Sequence, residues 1–357
     1  MPPLWVVKRE LRRTLDQVKF PFLMASAPVL RMMHDRSKSR TSRITPGAQV
    51  RGPKVVVFLL YQPKGLLPST FETCRHLAAK GFSCLIVSNA ALSDEDRVAL
   101  APYCFQMLER RNFGYDFGGY RDGILHLLET PEPIERLLVL NDSVWFPTLA
   151  SEDFLDHVLT QPTDIYGAIL TQPKRRGKPA HLQSYAFSFK GKIVQSPNFL
   201  KYWRELSISS NRKWTISQCE CKMTSYFSNL GFSVGARWSS DQFFTSLIDL
   251  NDDKLAALLQ LNADLKEGRD KVVSPILARR NEPDWRAAAL AYAHSTDFRN
   301  FLQLHPALQE AMNFPFVKKS FEQRFCMHRS IYAQVLSDRC DPVMLAEIAN
   351  WDRKTAA

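Results

Sequence analysis

The amino-acid sequence predicts an α/β protein whose parallel sheet carries helices on both faces. Three observations lead there. From Lys54 onward, short apolar runs bounded by turn residues alternate with segments of helical period in the order β-α-β-α-β-α-β. The runs are continuously apolar, the mark of buried strands. A chain of 357 residues with 45% hydrophobic content and 23 Phe can bury one large core or two smaller ones, which excludes a disulfide-stapled mini-protein and a disordered chain.

The elements follow in order. Between residues 4 and 22, Leu4, Val7, Leu11, Leu15, Val18 and Phe22 recur at steps of three and four on one helical face, with Lys8, Arg9, Arg12 and Arg13 off it and Trp5 near its start. Such a helix suits the headgroup layer of an anionic membrane, at ~1 kcal/mol per basic residue near the surface. It suits equally a helix docked on the protein's own surface. Residues 34–53 (HDRSKSRTSRITPGAQVRGP) have little to bury and read as a linker. KVVVFLLY (54–61) is a strand, STFETCRHLAAKG (69–81) a helix ending at Gly81, and FSCLIVSN (82–89) a second strand. SDEDRVALAPY is a helix with Ser93 as N-cap and acids in its first turn. CFQMLER (104–110) is a third strand, residues near 119–129 a helix, and IERLLVLND (134–142) a fourth strand. DIYGAILTQ (164–172) and HLQSYAFSFKG (181–191) are strands around the polar, basic turn QPKRRGKPA. Helices near 196–206 and 215–230, a strand FSVGARW (232–238) and a helix from Ser240 come next, and the pattern beyond residue 253 is mainly helical. The chain thus divides into a basic helix and linker (1–53), an α/β domain (54–252) and a helical C-terminal extension (253–357).

The formal net charge is +11, but residues 1–54 hold twelve Lys/Arg against three Asp/Glu, a net +9 that leaves +2 for the rest. A nucleic-acid enzyme spreads positive charge over the body that does the chemistry, so nucleic acid is not an expected partner. Seven cysteines are an odd number and most lie in apolar runs, which implies a reducing compartment. Cys219 and Cys221 lack the second pair of a zinc site. No apolar stretch approaches the ~18–20 residues of a transmembrane helix and Met1 to Val7 lacks a signal h-region, so the expected location is cytoplasmic or peripheral on the inner face of the membrane.

The densest chemical signal is RNFGYDFGGYRDG (111–123), just after the third strand. Its glycines permit close backbone approach to a ligand, while Arg111, Asn112, Asp116, Arg121 and Asp122 supply polar groups. The spacing is not that of a dinucleotide fingerprint or a P-loop. In LLVLNDSVWFP the fourth strand stops at Asn141, Asp142 and Ser143, the edge of a parallel sheet at which ligands bind. A carboxylate there can hold a divalent cation against a diphosphate, or cap a helix.

RNFGYDFGGYRDG, VLNDSVWFP, HLQSYAFSF, ECKMTSYFSNLGF and FPFVKKSF, in this order over residues 54–320, resemble the rhamnan synthesis protein F family. The resemblance implies a glycosyltransferase of bacterial cell-surface polysaccharide assembly, including the lipopolysaccharide type, with a GT-A-like, Rossmann-type sheet. It implies a nucleotide-sugar donor, deoxythymidine-diphosphate rhamnose, and a lipid-linked or polysaccharide acceptor. The family's roles place donor binding at Tyr61 in YQPKG, at Arg111, Asn112, Gly114, Asp116 and Arg121, and at Asn141, Asp142 and Ser143. The last three match the metal-binding Asp-x-Asp of GT-A enzymes with one carboxylate only, so Asp142 is the candidate ligand for Mg²⁺ or Mn²⁺. Arg111, Arg121 or Lys318 are the alternative as fixed cations against the leaving group. Inverting transfer needs a carboxylate base on the face of the sugar opposite the leaving group. Glu220 matches the family's Glu in the E-x-x-x-T stretch, and Asp241 in WSSDQFF is the reserve. His181, Gln183, Ser184 and Tyr185 can bind acceptor hydroxyls, Lys318 and Lys319 can reach a phosphate, and His328 can complete a metal site. The alternative function is a non-catalytic sugar- or nucleotide-binding module of a polysaccharide assembly complex.

Overall fold

The computed structural model describes residues 24–172, 180–265, 268–295, 302 and 304–352. The expected amphipathic helix at 4–22 and most of the basic turn at 172–180 lie outside them.

Nine strands form one mixed sheet in the order β1-β4-β3-β2-β5-β9-β7-β10, with β8 on β7. They are β1 (Arg43–Pro46), β2 (Lys54–Leu60), β3 (Ser83–Ser88), β4 (Gln106–Glu109), β5 (Arg136–Asn141), β7 (Ile165–Thr171), β8 (His181–Leu182), β9 (Ala186–Lys190) and β10 (Val234–Trp238). β6 (Val144–Trp145) and β11 (Val317–Lys318) pair antiparallel in a small second sheet. β2, β3, β4 and β5 run parallel, as the alternation of runs predicts. β9 departs from it, inserting antiparallel between β5 and β7.

Local signals explain the helices. α1 covers residues 24–41, α2 Pro68–Ala79, α3 Asp94–Leu100 and α4 Tyr115–Leu127. Ser93 closes a capping box with Asp96 at the start of α3. After α2, Gly81 takes φ +79° and its N–H donates to the Ala78 carbonyl, the left-handed turn that favours glycine.

The segment read as a linker is partly ordered structure. α1 runs through residue 41 and β1 pairs antiparallel with β4, after which the Gly47 and Gln49 N–H groups donate to the carbonyls of Phe105 and Cys104. A polar edge strand needs partners for its backbone and little side-chain burial, so its sequence resembles a loop.

The side-chain period of two divides β2 between two cores. Val56, Phe58 and Leu60 face one; Val55, Val57 and Leu59 face the other with Phe117, Tyr120 and Ile124 of α4. The C-terminal region shares the first core through Leu255, Trp285 and Phe316. It also docks on β6, where Trp145 packs with Val317, Tyr332 and Met344.

Candidate functional site

The chain passes from β2 to β3 and β4 on one side and returns to β5 on the other, so strand order reverses at β2. Ligands of open α/β sheets bind outside the carboxyl ends at such a point. β2 and β5 are in register there, Leu59 opposite Asn141.

Asp142 follows β5 and ties the two strand ends together. Its Oδ2 accepts the Tyr61 N–H at 2.9 Å and the Gln62 amide at 3.0 Å. Asn141 is the hub of a second network. Its Nδ2 donates to Asp116 Oδ2 at 3.1 Å and to the Tyr120 hydroxyl at 2.7 Å, and its Oδ1 accepts the Ser143 hydroxyl at 2.6 Å. Tyr120 donates to the Ser184 carbonyl at 2.7 Å, and the Ser184 hydroxyl donates to Glu220 Oε2 at 2.9 Å. His181 Nε2 lies 3.9 Å from Glu220 Oε1. Lys318 Nζ donates to Ser143 Oγ at 2.9 Å.

These groups surround a cavity of about 290 Å³ whose walls include Asp116, Asn141, Ser143, Gln183, Ser184, Tyr185, Arg212, Glu220 and Lys318. Its charged groups are partly withdrawn from water. Burial pushes the Asp116 carboxyl up to about 6; Lys318 opposes the shift and the charges of Asp142 and Glu220 add to it. Burial also raises Glu220, against the Ser184 hydrogen bond and Lys318, and raises Asp142 against Lys319. The Lys318 ammonium is pulled below its ordinary value by burial, while Asp116 and Glu220 hold it up. Glu220 ends a π-helical turn, Thr215–Glu220, and the α-helix Cys221–Asn229 follows. Such wide turns often mark functional positions.

The residues expected at the site separate into two groups. Asp116, Asn141, Ser143, Gln183, Ser184, Tyr185 and Glu220 line the cavity, with Asp142 and the Tyr61 backbone beside it and His181 against Glu220. Arg111 and Asn112 lie exposed on the loop before α4 and are not among the lining residues. Arg121 belongs elsewhere. Its buried guanidinium grips the Asp35 carboxylate of α1 at 2.6 and 2.8 Å and donates to the Trp203 carbonyl at 2.8 Å. Neighbouring Asp122 is buried against Arg110 at 2.6 Å and His34 at 2.9 Å. A helix turns about 100° per residue, so Asp116 and Tyr120 face the cleft while Arg121 and Asp122 face α1. Asp241 is exposed in the first turn of Ser240–Asp249, beside a different pocket with Arg237 and Thr245.

The glycines of the motif serve packing. A Cβ on Gly119 would stand 2.4 Å from Leu59 Cδ1, so this glycine lets α4 lie against β2. Gly114 precedes α4 in the left-handed region at φ +82°, where a Cβ would also meet Ile208. Sequence reasoning missed Arg212, which lines the cavity from a distant segment with no motif of its own.

The protein's own donors would not enclose a metal ion by themselves; a divalent cation here would be held by Asp142 together with oxygens of a bound diphosphate. Among the described residues no three His, Cys, Asp or Glu side chains gather to hold one. Asp142 brings one carboxylate, with Oδ2 already accepting two N–H groups. His328 is buried against Gln309 at 2.9 Å, its pKa pushed down to about 4 by burial.

Fold and cleft together define an α/β protein with a charged cleft at the switch point of its sheet. The model of the rhamnan synthesis protein F family matches residues 84–248, and the chain belongs to that family. An uncharacterized protein, y4gN, of Sinorhizobium fredii is 33% identical over 354 residues, covering 97% of this chain and 92% of that one. The virulence protein VirA of Vibrio anguillarum is 29% identical over 136 residues, 37% of this chain and 42% of its own. Among solved structures, a mannosyltransferase from Pyrobaculum calidifontis in complex with GDP-Man and Mn²⁺ aligns over 94% of this chain and 98% of its own at 11% identity and a TM-score of 0.34. The glycosyltransferase GlyE of Streptococcus pneumoniae aligns over 69% and 64% at 11% identity and a TM-score of 0.33. No helix among the described residues is long and apolar enough to cross a membrane.

Proposed function

We propose that this protein is a GT-A-like glycosyltransferase of rhamnan- or lipopolysaccharide-type polysaccharide biosynthesis. It moves rhamnose from deoxythymidine-diphosphate rhamnose to a lipid-linked or polysaccharide acceptor, with inversion. The observation that carries this reading is the cavity itself: two carboxyl groups of raised pKa, Asp116 and Glu220, share it with a lysine at the carboxyl ends of β2 and β5. Perturbed titratable groups in a cleft at that place are the features of a reaction site.

In the reaction the acceptor oxygen attacks C1 of the sugar, the C1–O bond to the diphosphate breaks, and the electron pair leaves with the phosphate oxygen. Glu220 takes the acceptor proton. Its Ser184 hydrogen bond holds one oxygen and leaves the other toward His181. His181, Gln183 and Tyr185 stand on the acceptor side. The Tyr61–Gly65 loop and Asn141 to Ser143 receive the nucleotide end. Asp116, hydrogen-bonded to Asn141, faces the sugar.

The test is release of deoxythymidine diphosphate from the sugar donor in the presence of membranes carrying the acceptor. Turnover that falls in Glu220→Gln supports the reading. Donor that binds in calorimetry and never turns over points to a binding module instead. The peripheral-membrane reading rests on the basic amphipathic pattern of residues 4–22. Deletion should stop at residue 23, because Asp35 and β1 tie the next segment to the body. Loss of the protein from the membrane fraction on that deletion is the expected result, and an unchanged distribution would refute it.

A further inference from the structure

FPFVKKSF presents two adjacent lysines, and the structure separates them. Lys318 ends β11 and Lys319 follows it with its N–H still bonded to the Ser143 carbonyl, so their side chains point to opposite faces. Lys319 turns inward, bonding Ser69 Oγ at 2.9 Å, standing 3.7 Å from Glu347 and lying over the Trp145 ring at 5.3 Å. It is matched by a buried carboxylate. Lys318 turns to the cavity, where Ser143 Oγ is its hydrogen-bond partner, and no described carboxylate stands within ion-pair distance of its ammonium.

The position of Lys318 is built. Its backbone pairs with Val144 across β6–β11, directly after the Asp142–Ser143 corner. The Lys319 N–H donates to the Ser143 carbonyl at 2.9 Å. The buried Arg329 donates to the Lys318 carbonyl at 2.8 Å and is itself held by Asp352. An ammonium so fixed and half-buried, with Ser143 Oγ as its contact and the carboxylates of Asp116 and Glu220 acting on it only from beyond ion-pair distance among the described residues, is positioned to take an anion that enters the cavity. Arg212 lines the same cavity as a second cation. The carboxylate corner, by contrast, does not assemble a metal site among the described residues.

We propose that Lys318, with Arg212, forms the diphosphate-binding site of this cavity and takes the place of a divalent cation there. The site rests on the transferase reading for its role: the Lys318 ammonium donates to the departing phosphate oxygen as the C1–O bond breaks, and it carries the charge from ground state to product. The C-terminal region is therefore part of the reaction centre, since β11 delivers this charge.

The experiment is calorimetric titration of the full chain, treated with EDTA, with deoxythymidine diphosphate and with inorganic pyrophosphate. Both are expected to bind without added metal, and Lys318→Met is expected to weaken both by about 10- to 100-fold, the value of a hydrogen bond to a charged group. Arg212→Met, at an exposed position, tests the same site in a variant with little reason to misfold, and a severalfold weakening is expected. Lys201→Met on an exposed helical position is the control and leaves affinity unchanged. Unchanged affinity in Lys318→Met or Arg212→Met overturns the proposal. So does pyrophosphate binding that requires Mg²⁺ or Mn²⁺. Lys318-dependent binding without sugar transfer would remove the transferase reading and leave the anion site. Transfer that survives Lys318→Met would do the reverse.

Discussion

Glu220 can act as base only when ionised, and the Ser184 hydroxyl is the group that favours that form. Burial raises the Glu220 pKa; the 2.9 Å hydrogen bond from Ser184 and the charge of Lys318 lower it. Ser184→Ala removes the stabilised form's donor. A hydrogen bond to a charged group is worth about 1.5–3 kcal/mol and one pH unit corresponds to about 1.36 kcal/mol, so the acid limb of the rate should move up by about one to two pH units. The sign follows from the state stabilised: losing a partner of the carboxylate makes the proton harder to remove. At a pH above both limbs the variant should recover most of its rate, whereas Glu220→Gln, which keeps a carbonyl for Ser184 to bond, should lose about 10²–10⁴-fold at every pH. The assay is initial rate of nucleotide release from pH 5 to 9. A Ser184→Ala profile lowered uniformly without displacement, or a Glu220→Gln enzyme at wild-type rate, would refute Glu220 as the base.

Three further outcomes follow from the same structure. Asp116 holds its proton to about pH 6 in the folded protein, against 3.8 ordinarily, so folding loses stability as pH rises through that window. Asp116→Asn should therefore gain up to about 2–3 kcal/mol at pH 7.5 and nearly nothing at pH 4 in urea denaturation; an equal gap at both would contradict the linkage. Gly119→Ala drives a methyl into Leu59 and should lower stability by about 1–3 kcal/mol, a loss of several degrees in the melting temperature, whereas an unchanged melting temperature would deny the close packing of α4 on β2. Asp241→Asn should leave sugar transfer unchanged, and a rate lowered more than about tenfold would return Asp241 to the chemistry.

The strand ends were readable because position in a parallel sheet already implies ligand proximity: Asn141, Asp142 and Ser143 needed only the end of an apolar run. The division of RNFGYDFGGYRDG was less readable. Its glycines suggest a loop, which places the helix start near 119, but α4 begins at Tyr115. With the earlier start, helical period alone separates Asp116 from Arg121 and Asp122. The glycines are absent side chains, and what fills their space is a matter of which strand lies beneath. Arg121 as a phosphate ligand failed for the same reason, because its partner Asp35 is 86 residues away on a segment whose composition resembles a linker.

Local chemistry in the sequence alone determined the central strands, the cap at Ser93 and the turn at Gly81, since apolar runs and capping side chains act within a few residues. Tertiary structure decided the rest. Lys318 reaches Ser143 across 175 residues, and Ser184 reaches Glu220 across 36. The choice between Lys318 and Lys319 depends on the register of β11 against β6. A shift of one residue there would exchange the two lysines between Glu347 and the cavity, because adjacent side chains of a strand face opposite ways.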